Sequence, residues 1–273
     1  MSELTGEVVL ITGASAPNGI GQAIARRLAR AGARVAVTDV SGSMEINGEA
    51  VEKFELLERL ADDIGREIAL PLPLDVTDPA SIAATISEIE ARLGPVGILV
   101  NNAATIVGTG DFLATTPAQW EHSFRVNLLG PMMLSQAVIS GMRRMGGGRI
   151  INIGSTGSLG AEAGFGAYTA MKHGLVGLTK TLAAEFGPDG ILCNTVCPGF
   201  IDTDMHACAN ARLARESGKD VQDVKSERYA AVALRDAGRP EDVAAAVLFL
   251  AGSGGKYVTG INLPVSGGVP VGL

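Results

Sequence analysis

Short β-branched apolar runs alternate with helical apolar stripes along the whole chain, and this alternation limits the fold more than any other feature. Glu7 to Thr12, Arg34 to Thr38, Ile68 to Leu74, Val96 to Val100, Arg149 to Ile153, Ile191 to Val196 and Val258 to Leu263 read as strands. Between them, apolar residues recur every three or four positions, the period of one helix face. Examples are Ile20, Ala23, Ile24 and Leu28, then Phe54, Leu57, Leu60 and Ile64, then Ile82, Ile86, Ile89 and Leu93. Asp78-Pro79 opens the third of these as an N-cap followed by proline at the first helical position. Further helices are expected over Pro117 to Met145, with a kink at Pro131, over Ala167 to Phe186, and over Pro240 to Ala251.

Strand–helix alternation implies right-handed crossovers and a parallel sheet covered on both faces. The expectation is one doubly wound α/β domain over residues 1–273, with seven parallel strands flanked by helices and no linker to split it. Two segments are surplus to the alternation. Ser41 to Ala50 reads as a polar loop, and Phe200 to Arg239, long, charged and helix-prone, is a candidate lid over ligand bound at the carboxyl edge of the sheet.

Composition narrows the partners. Lys plus Arg number 22 against 29 Asp plus Glu, a net charge of −7, and no basic patch suits a nucleic acid backbone. The apolar run Val8 to Ile11 is too short for a signal segment, and Val243 to Gly252 is far below a membrane span. Cys193, Cys197 and Cys208 lack zinc spacing with histidines and are expected to be buried free thiols, with no metal site. A cytoplasmic protein with a small-molecule ligand, and without nucleic acid or membrane partners, is expected.

The turn after the first strand runs from Thr12 to Gly21, with glycines at 13, 19 and 21. Glycines there let the backbone approach a pyrophosphate, which then faces the N–H groups of a helix N-terminus. Asp39 ends the second strand 20 residues after Gly19, where a carboxylate binds both adenosine ribose hydroxyls and repels a 2′-phosphate. Tyr168 and Lys172 stand at i and i+4 on one helix face, so that an ammonium there would favour phenolate and make the tyrosine a general base. Ser155, thirteen residues before Tyr168, lies in a glycine-rich loop at the end of the fifth strand.

Together these motifs resemble the short-chain dehydrogenase/reductase family over nearly the whole chain. Gly13, Gly19 and Gly21 resemble its TGxxxGxG turn, Asp75-Val76 its adenine-contacting pair, and Asn101-Asn102-Ala103-Ala104 its NNAG segment. Asn127, Ser155, Tyr168 and Lys172 match its tetrad, and Pro198-Gly199 with Ile201 and Thr203 its nicotinamide-bordering PG motif. The resemblance implies a Rossmann-type domain and a cofactor held by Gly13, Ser15, Asn18, Gly19, Ile20, Asp39, Asp75 and Val76. It also implies contacts from Asn102, Ala103, Ala104, Tyr168, Lys172, Pro198, Gly199, Ile201 and Thr203.

The implied chemistry is hydride transfer between a secondary alcohol or its ketone and nicotinamide. Tyr168 is the acid/base, Ser155 holds the substrate oxygen, Lys172 holds the ribose and lowers the Tyr168 pKa, and Asn127 kinks its helix and positions a relay water. Asp39 favours NAD over NADP. An NADPH-dependent 3-oxoacyl-type ketoreductase is the alternative, and a non-catalytic dinucleotide sensor or an epimerase or dehydratase of the longer branch are further readings. Members are commonly homotetramers. The turn departs from the family by having five residues between Gly13 and Gly19 where three are usual, and Ser266 stands where the family often shows aspartate. Glu162, Phe165, Met205 and His206 are placed equally as substrate contacts or packing, His173 as structural, and Trp120 as core or interface.

Overall fold

The computed structural model describes residues 3–46 and 49–270. Its first five elements are β1 (Val8–Thr12), α1 (Ile20–Arg30), β2 (Arg34–Asp39) and an inserted hairpin of β3 (Ser43–Ile46) and β4 (Glu49–Glu52). Then come α2 (Lys53–Ile64), β5 (Ala69–Pro73), α3 (Pro79–Arg92) and β6 (Ile98–Asn101). The second half holds α4 (Pro117–Phe124), α5 (Gly130–Met145), β7 (Gly148–Ile153), α6 (Gly166–Phe186) and β8 (Ile191–Pro198). The last elements are α7 (Asp204–Ser217), α8 (Val221–Ala230), α9 (Pro240–Ala251) and β9 (Asn262–Val265).

Seven parallel strands form the sheet in the order β5-β2-β1-β6-β7-β8-β9. The chain builds outward from β1 in one direction, then returns and builds outward from β6 in the other. The reversal leaves a crevice beyond the carboxyl ends of β1 and β6, which is where ligands bind in such sheets. Alternate residues of one strand supply the two cores: Val9 and Ile11 pack with Ile24, Leu28, Val247 and Leu250, while Val8 and Leu10 pack with Ile86, Ile89, Leu134 and Met142. Val8 to Ile11 is apolar throughout because both faces of the strand are covered.

Four expectations are corrected. Ser41 to Ala50 is not a loop: β3 and β4 pair antiparallel, Met44 opposite Val51. The Asn-Gly dipeptide at 47–48, outside the described residues, is the hairpin signal the polar composition masked. The helix over 117–145 breaks at a π turn over Arg125–Leu129 rather than at Pro131, which lies in the first turn of α5. The last strand begins at Asn262, because Asn194 Nδ2 donates to the Val258 carbonyl and Gly260 N–H to the Cys193 carbonyl, at 2.8 Å each, with Gly260 at φ +72°. Cys208 is exposed on α7, whereas Cys193 and Cys197 are buried as expected. No helix among the described residues is long and apolar enough to cross a membrane.

Candidate active site

A cavity of about 830 Å³ opens at the crevice between β1 and β6 and runs under α7 and α8. The turn after β1 forms one wall. Gly13 has φ +68°, and a Cβ on it would lie 2.7 Å from the Ala103 backbone. The Thr12 hydroxyl accepts from the Asn102 and Ala103 N–H groups at 3.0 Å, while Asn102 Nδ2 donates to the Thr12 and Gly13 carbonyls at 2.8 and 2.9 Å. The two loops are thereby riveted together. Gly19 caps α1 without any side-chain bond, so the first N–H groups of the helix stay open to an anion. A close backbone cradle that a Cβ would fill, beside an uncapped helix start, fits a dinucleotide pyrophosphate.

Asp39 ends β2 at the same wall. Its Oδ2 accepts from Ser15 N–H and Oγ at 3.1 and 2.7 Å, and its Oδ1 from Val40 N–H at 2.8 Å. Lys53, the first residue of α2, reaches Asp39 Oδ1 at 3.4 Å. The hairpin delivers it, since Lys53 N–H donates to the Gly42 carbonyl at 2.8 Å. Sequence reading missed this lysine because nothing local pairs it with a residue 14 positions earlier. Asp75 Oδ1 accepts from Thr77 N–H and Oγ1 at 2.8 and 2.7 Å, and Val76 lines the cavity beside it.

The second wall carries the tyrosine. Ser155 follows β7, and its Oγ accepts from Gly157 N–H at 3.0 Å. Tyr168, near the start of α6, lines the same wall as Ser155. Lys172, one turn further along α6, is buried, donates from Nζ to the Ile153 carbonyl at 2.7 Å, and sits 5.5 Å from the Tyr168 ring centroid. Burial lowers its pKa to about 8. Burial likewise dominates at Tyr168 and raises its pKa, with the Ser155 side chain working the other way. The expected lowering by Lys172 is therefore not what this geometry produces: the ammonium faces the ring and a carbonyl.

The chain segment after β8 closes the far side. Gly199 N–H donates to the Val265 carbonyl at 3.0 Å, and a Cβ there would meet Ser266 at 2.8 Å. Ser266 thus occupies the family's aspartate position as a packing partner. Ile201 bridges to Gly238, and the Thr203 hydroxyl caps α7 by accepting from His206 N–H at 3.2 Å. Phe200, His206 and Tyr229 stack beneath α7 and α8, with ring centroids 5.5 to 6.2 Å apart. Burial and the neighbouring Arg228 charge bring His206 down to about 4.

The cavity brings together Gly13, Ser15, Gly19, Ile20, Asp39, Asp75 and Val76 on its nucleotide side. Asn102, Ala103, Ala104, Ser155, Tyr168 and Lys172 line it as well, as do Pro198, Gly199, Ile201 and Thr203. Two expected residues stand back. Asn127 is fully buried in the π turn, where Oδ1 accepts from Thr105 N–H at 3.1 Å and Nδ2 donates to the Thr105 carbonyl at 2.9 Å. Asn18 turns away: its N–H and Nδ2 donate to Asp204 at 3.4 and 3.2 Å, so the lengthened turn reaches across to α7 through this one residue. Glu162, Phe165, Met205 and His206 line the cavity, while Trp120 packs edge-on against Phe112 and His173 bonds the Thr169 carbonyl.

Comparison with known proteins agrees with this geometry. A family model described as enoyl-(acyl carrier protein) reductase matches residues 13–270. The chain is 38% identical to the 3-oxoacyl-[acyl-carrier-protein] reductase FabG of Vibrio cholerae, over 97% of this chain and 98% of that one. It is 35% identical to the oxidoreductase UcpA of Escherichia coli K12, over 98% and 96%. Among solved structures, an actinorhodin polyketide ketoreductase variant with NADPH superposes with a TM-score of 0.87, at 34% identity, over 96% of this chain and 97% of that one.

Proposed function

This chain belongs to the short-chain dehydrogenase/reductase family and is an oxidoreductase acting on CH–OH or ketone groups, and from that premise we propose the residues and the cofactor with which it works. The observation that carries the proposal is the convergence of Ser155, Tyr168 and buried Lys172 on one wall of the dinucleotide-sized cavity. A bound nicotinamide supplies or accepts the hydride; the protein supplies position and proton transfer. Ser155 donates to the substrate oxygen and steadies the charge that grows on it. Tyr168 takes the hydroxyl proton during oxidation and returns it during reduction. Lys172 holds the ribose hydroxyls and supports the tyrosinate once a ligand draws its ammonium off the Ile153 carbonyl. Asn127 fixes the π turn and the Thr105 loop and is a positioning residue.

The cofactor reading is NAD, because Asp39 sits where a 2′-phosphate would meet a carboxylate. Lys53 and the NADPH-bound relative favour a second reading, an NADPH-dependent ketoreductase. Segment 200–239 serves as the substrate lid. The protein works in the cytoplasm, and a homotetramer accounts for exposed Phe112, Leu113 and Tyr257. Sedimentation of the purified chain tests the assembly.

Tyr168→Phe tests the chemistry. It is expected to lower turnover of secondary alcohols by at least about a thousandfold, within the range for a lost acid/base, with the NADH Kd nearly unchanged. Turnover that survives the change refutes the assignment.

A further inference from the structure

On the α7–α8 side, the cavity holds a cation that hydride chemistry does not use. Arg228 of α8 lines it beside Glu162, Phe200 and His206. Its guanidinium lies 4.4 Å from the Phe200 ring centroid, a stacking that fixes the plane of the fork. One terminal nitrogen donates to Asn210 Oδ1 at 2.6 Å, and the other faces Glu162 Oε1 at 3.5 Å. The Arg228 side chain is only 13% exposed.

Glu162 is a loose partner. It is 52% exposed, sits on the loop before α6 and makes one long contact, so water competes for its carboxylate. A guanidinium carries five donors, and the two named contacts leave others free to a ligand. Arg212, hydrogen-bonded to the Thr109 hydroxyl at 2.6 Å and paired with Glu216 at 3.6 Å, adds a second positive charge nearby; burial holds the Arg228 pKa down, Glu162 works against it, and Arg212 adds a smaller lowering. The cavity lining also includes the apolar Ile106, Val126, Phe165 and Met205, alongside the polar His122, Thr203 and Asp204. An arginine kept charged in such a place has in Glu162 a loosely held counter-ion, and a ligand can bring a closer one.

We infer that the substrate is a secondary alcohol or ketone that carries its own carboxylate, seated on Arg228 while its reacting oxygen meets Ser155 and Tyr168. The inference rests on the oxidoreductase reading of the same cavity. It makes Arg228 a specificity residue and Glu162 its gatekeeper, a carboxylate that keeps the site neutral until the substrate displaces it.

The test uses β-hydroxybutyrate, β-hydroxyhexanoate and mandelate, each beside its methyl ester, with the full-length protein. Binding to the protein–NADH complex is read by calorimetry, so that the result does not depend on turnover; oxidation is followed separately with NAD and NADP. At least one acid is expected to bind about tenfold or more tightly than its ester. Arg228→Gln should remove that preference, Arg228→Lys should keep part of it, and Glu162→Gln should tighten acid binding severalfold by removing the competitor. The NADH Kd of each variant reports whether it is folded. Acids that bind no better than esters overturn the inference, as does an Arg228→Gln variant that keeps the preference or a Glu162→Gln variant that weakens acid binding. Acid binding without any turnover would sustain the anion site and count against the oxidoreductase reading, whereas ester turnover without acid binding would do the reverse.

Discussion

Lys172 donates its ammonium to the main-chain carbonyl of Ile153 at 2.7 Å while standing 5.5 Å from the ring of Tyr168. The end of β7 thereby holds the charge next to the phenol, and burial sets how both titrate. Lys172, drawn down to about 8, binds its proton less well folded than unfolded. Between that pH and its ordinary value of 10.5 the unfolded state holds more protons, so stability rises with pH across this window and is lost as pH falls through 8. Urea unfolding should show the wild type gaining about 2 kcal/mol on Lys172→Met from pH 8 to 10. The orphaned Ile153 carbonyl adds a constant offset that leaves the slope untouched. A pH-independent difference would contradict the buried ammonium.

Cofactor choice turns on Asp39 and Lys53. Asp39→Ala should weaken NADH about tenfold and strengthen NADPH, because the carboxylate that accepts ribose hydroxyls and repels phosphate is gone. Lys53→Ala should weaken NADPH about tenfold and leave NADH within about twofold, since the cation beside Asp39 favours only the phosphate. Calorimetric titration with both nucleotides checks this. Equal losses for both would assign Lys53 to holding Asp39 alone.

His206 stays neutral in the folded protein down to about pH 4, although its ordinary value is 6.5. Below pH 6.5 the unfolded chain takes up a proton that the folded one refuses, so stability is full above 6.5 and falls as pH drops toward 4. His206→Phe keeps the stack with Phe200 and Tyr229 and removes the titration. Its melting temperature should fall less than that of the wild type over this range, with hydrogen exchange localising the difference to α7 and α8. Parallel melting curves would reject the buried neutral histidine.

Gly21 and Gly177 both lie inside helices but should respond oppositely to alanine. A Cβ at Gly21 would stand 2.6 Å from the Gly13 carbonyl oxygen and 2.8 Å from Asn102 Nδ2, so the turn must open. Gly177 is exposed in α6 with nothing within 4 Å of an added Cβ. Helix propensity favours alanine by roughly 1 kcal/mol at either place. Gly177→Ala should gain about that much, whereas Gly21→Ala should lose stability and NADH binding together. Denaturant midpoints and NADH titration of both variants test the contrast.

Much of the fold was legible because its signals are local. The run Val8–Thr12 and the stripe Ile82, Ile86, Ile89 announce their elements within a few residues, and Tyr168 and Lys172 share a face through helix geometry alone. The hairpin was missed because its charged residues outweigh Met44, Ile46 and Val51 in any average over the segment. The end of the chain was misplaced because Val258 looks like a strand residue, yet its carbonyl is taken by Asn194, 64 positions away.

What the sequence by itself determined is the doubly wound sheet, the glycine turn at its centre and the grouping of Ser155, Tyr168 and Lys172. Periodicity and short spacings carry that information, and each follows from backbone geometry. Only the tertiary structure decided that Lys53 meets Asp39, that Asn18 reaches Asp204, and that Arg228 enters the cavity over Phe200. Those contacts join residues 14 to 186 positions apart or seat a lone helix residue against a distant ring. The direction of the Tyr168 and Lys172 shifts was decided there too, because burial depends on every element packed around α6 and the end of β7, and i,i+4 spacing says nothing about how much water remains.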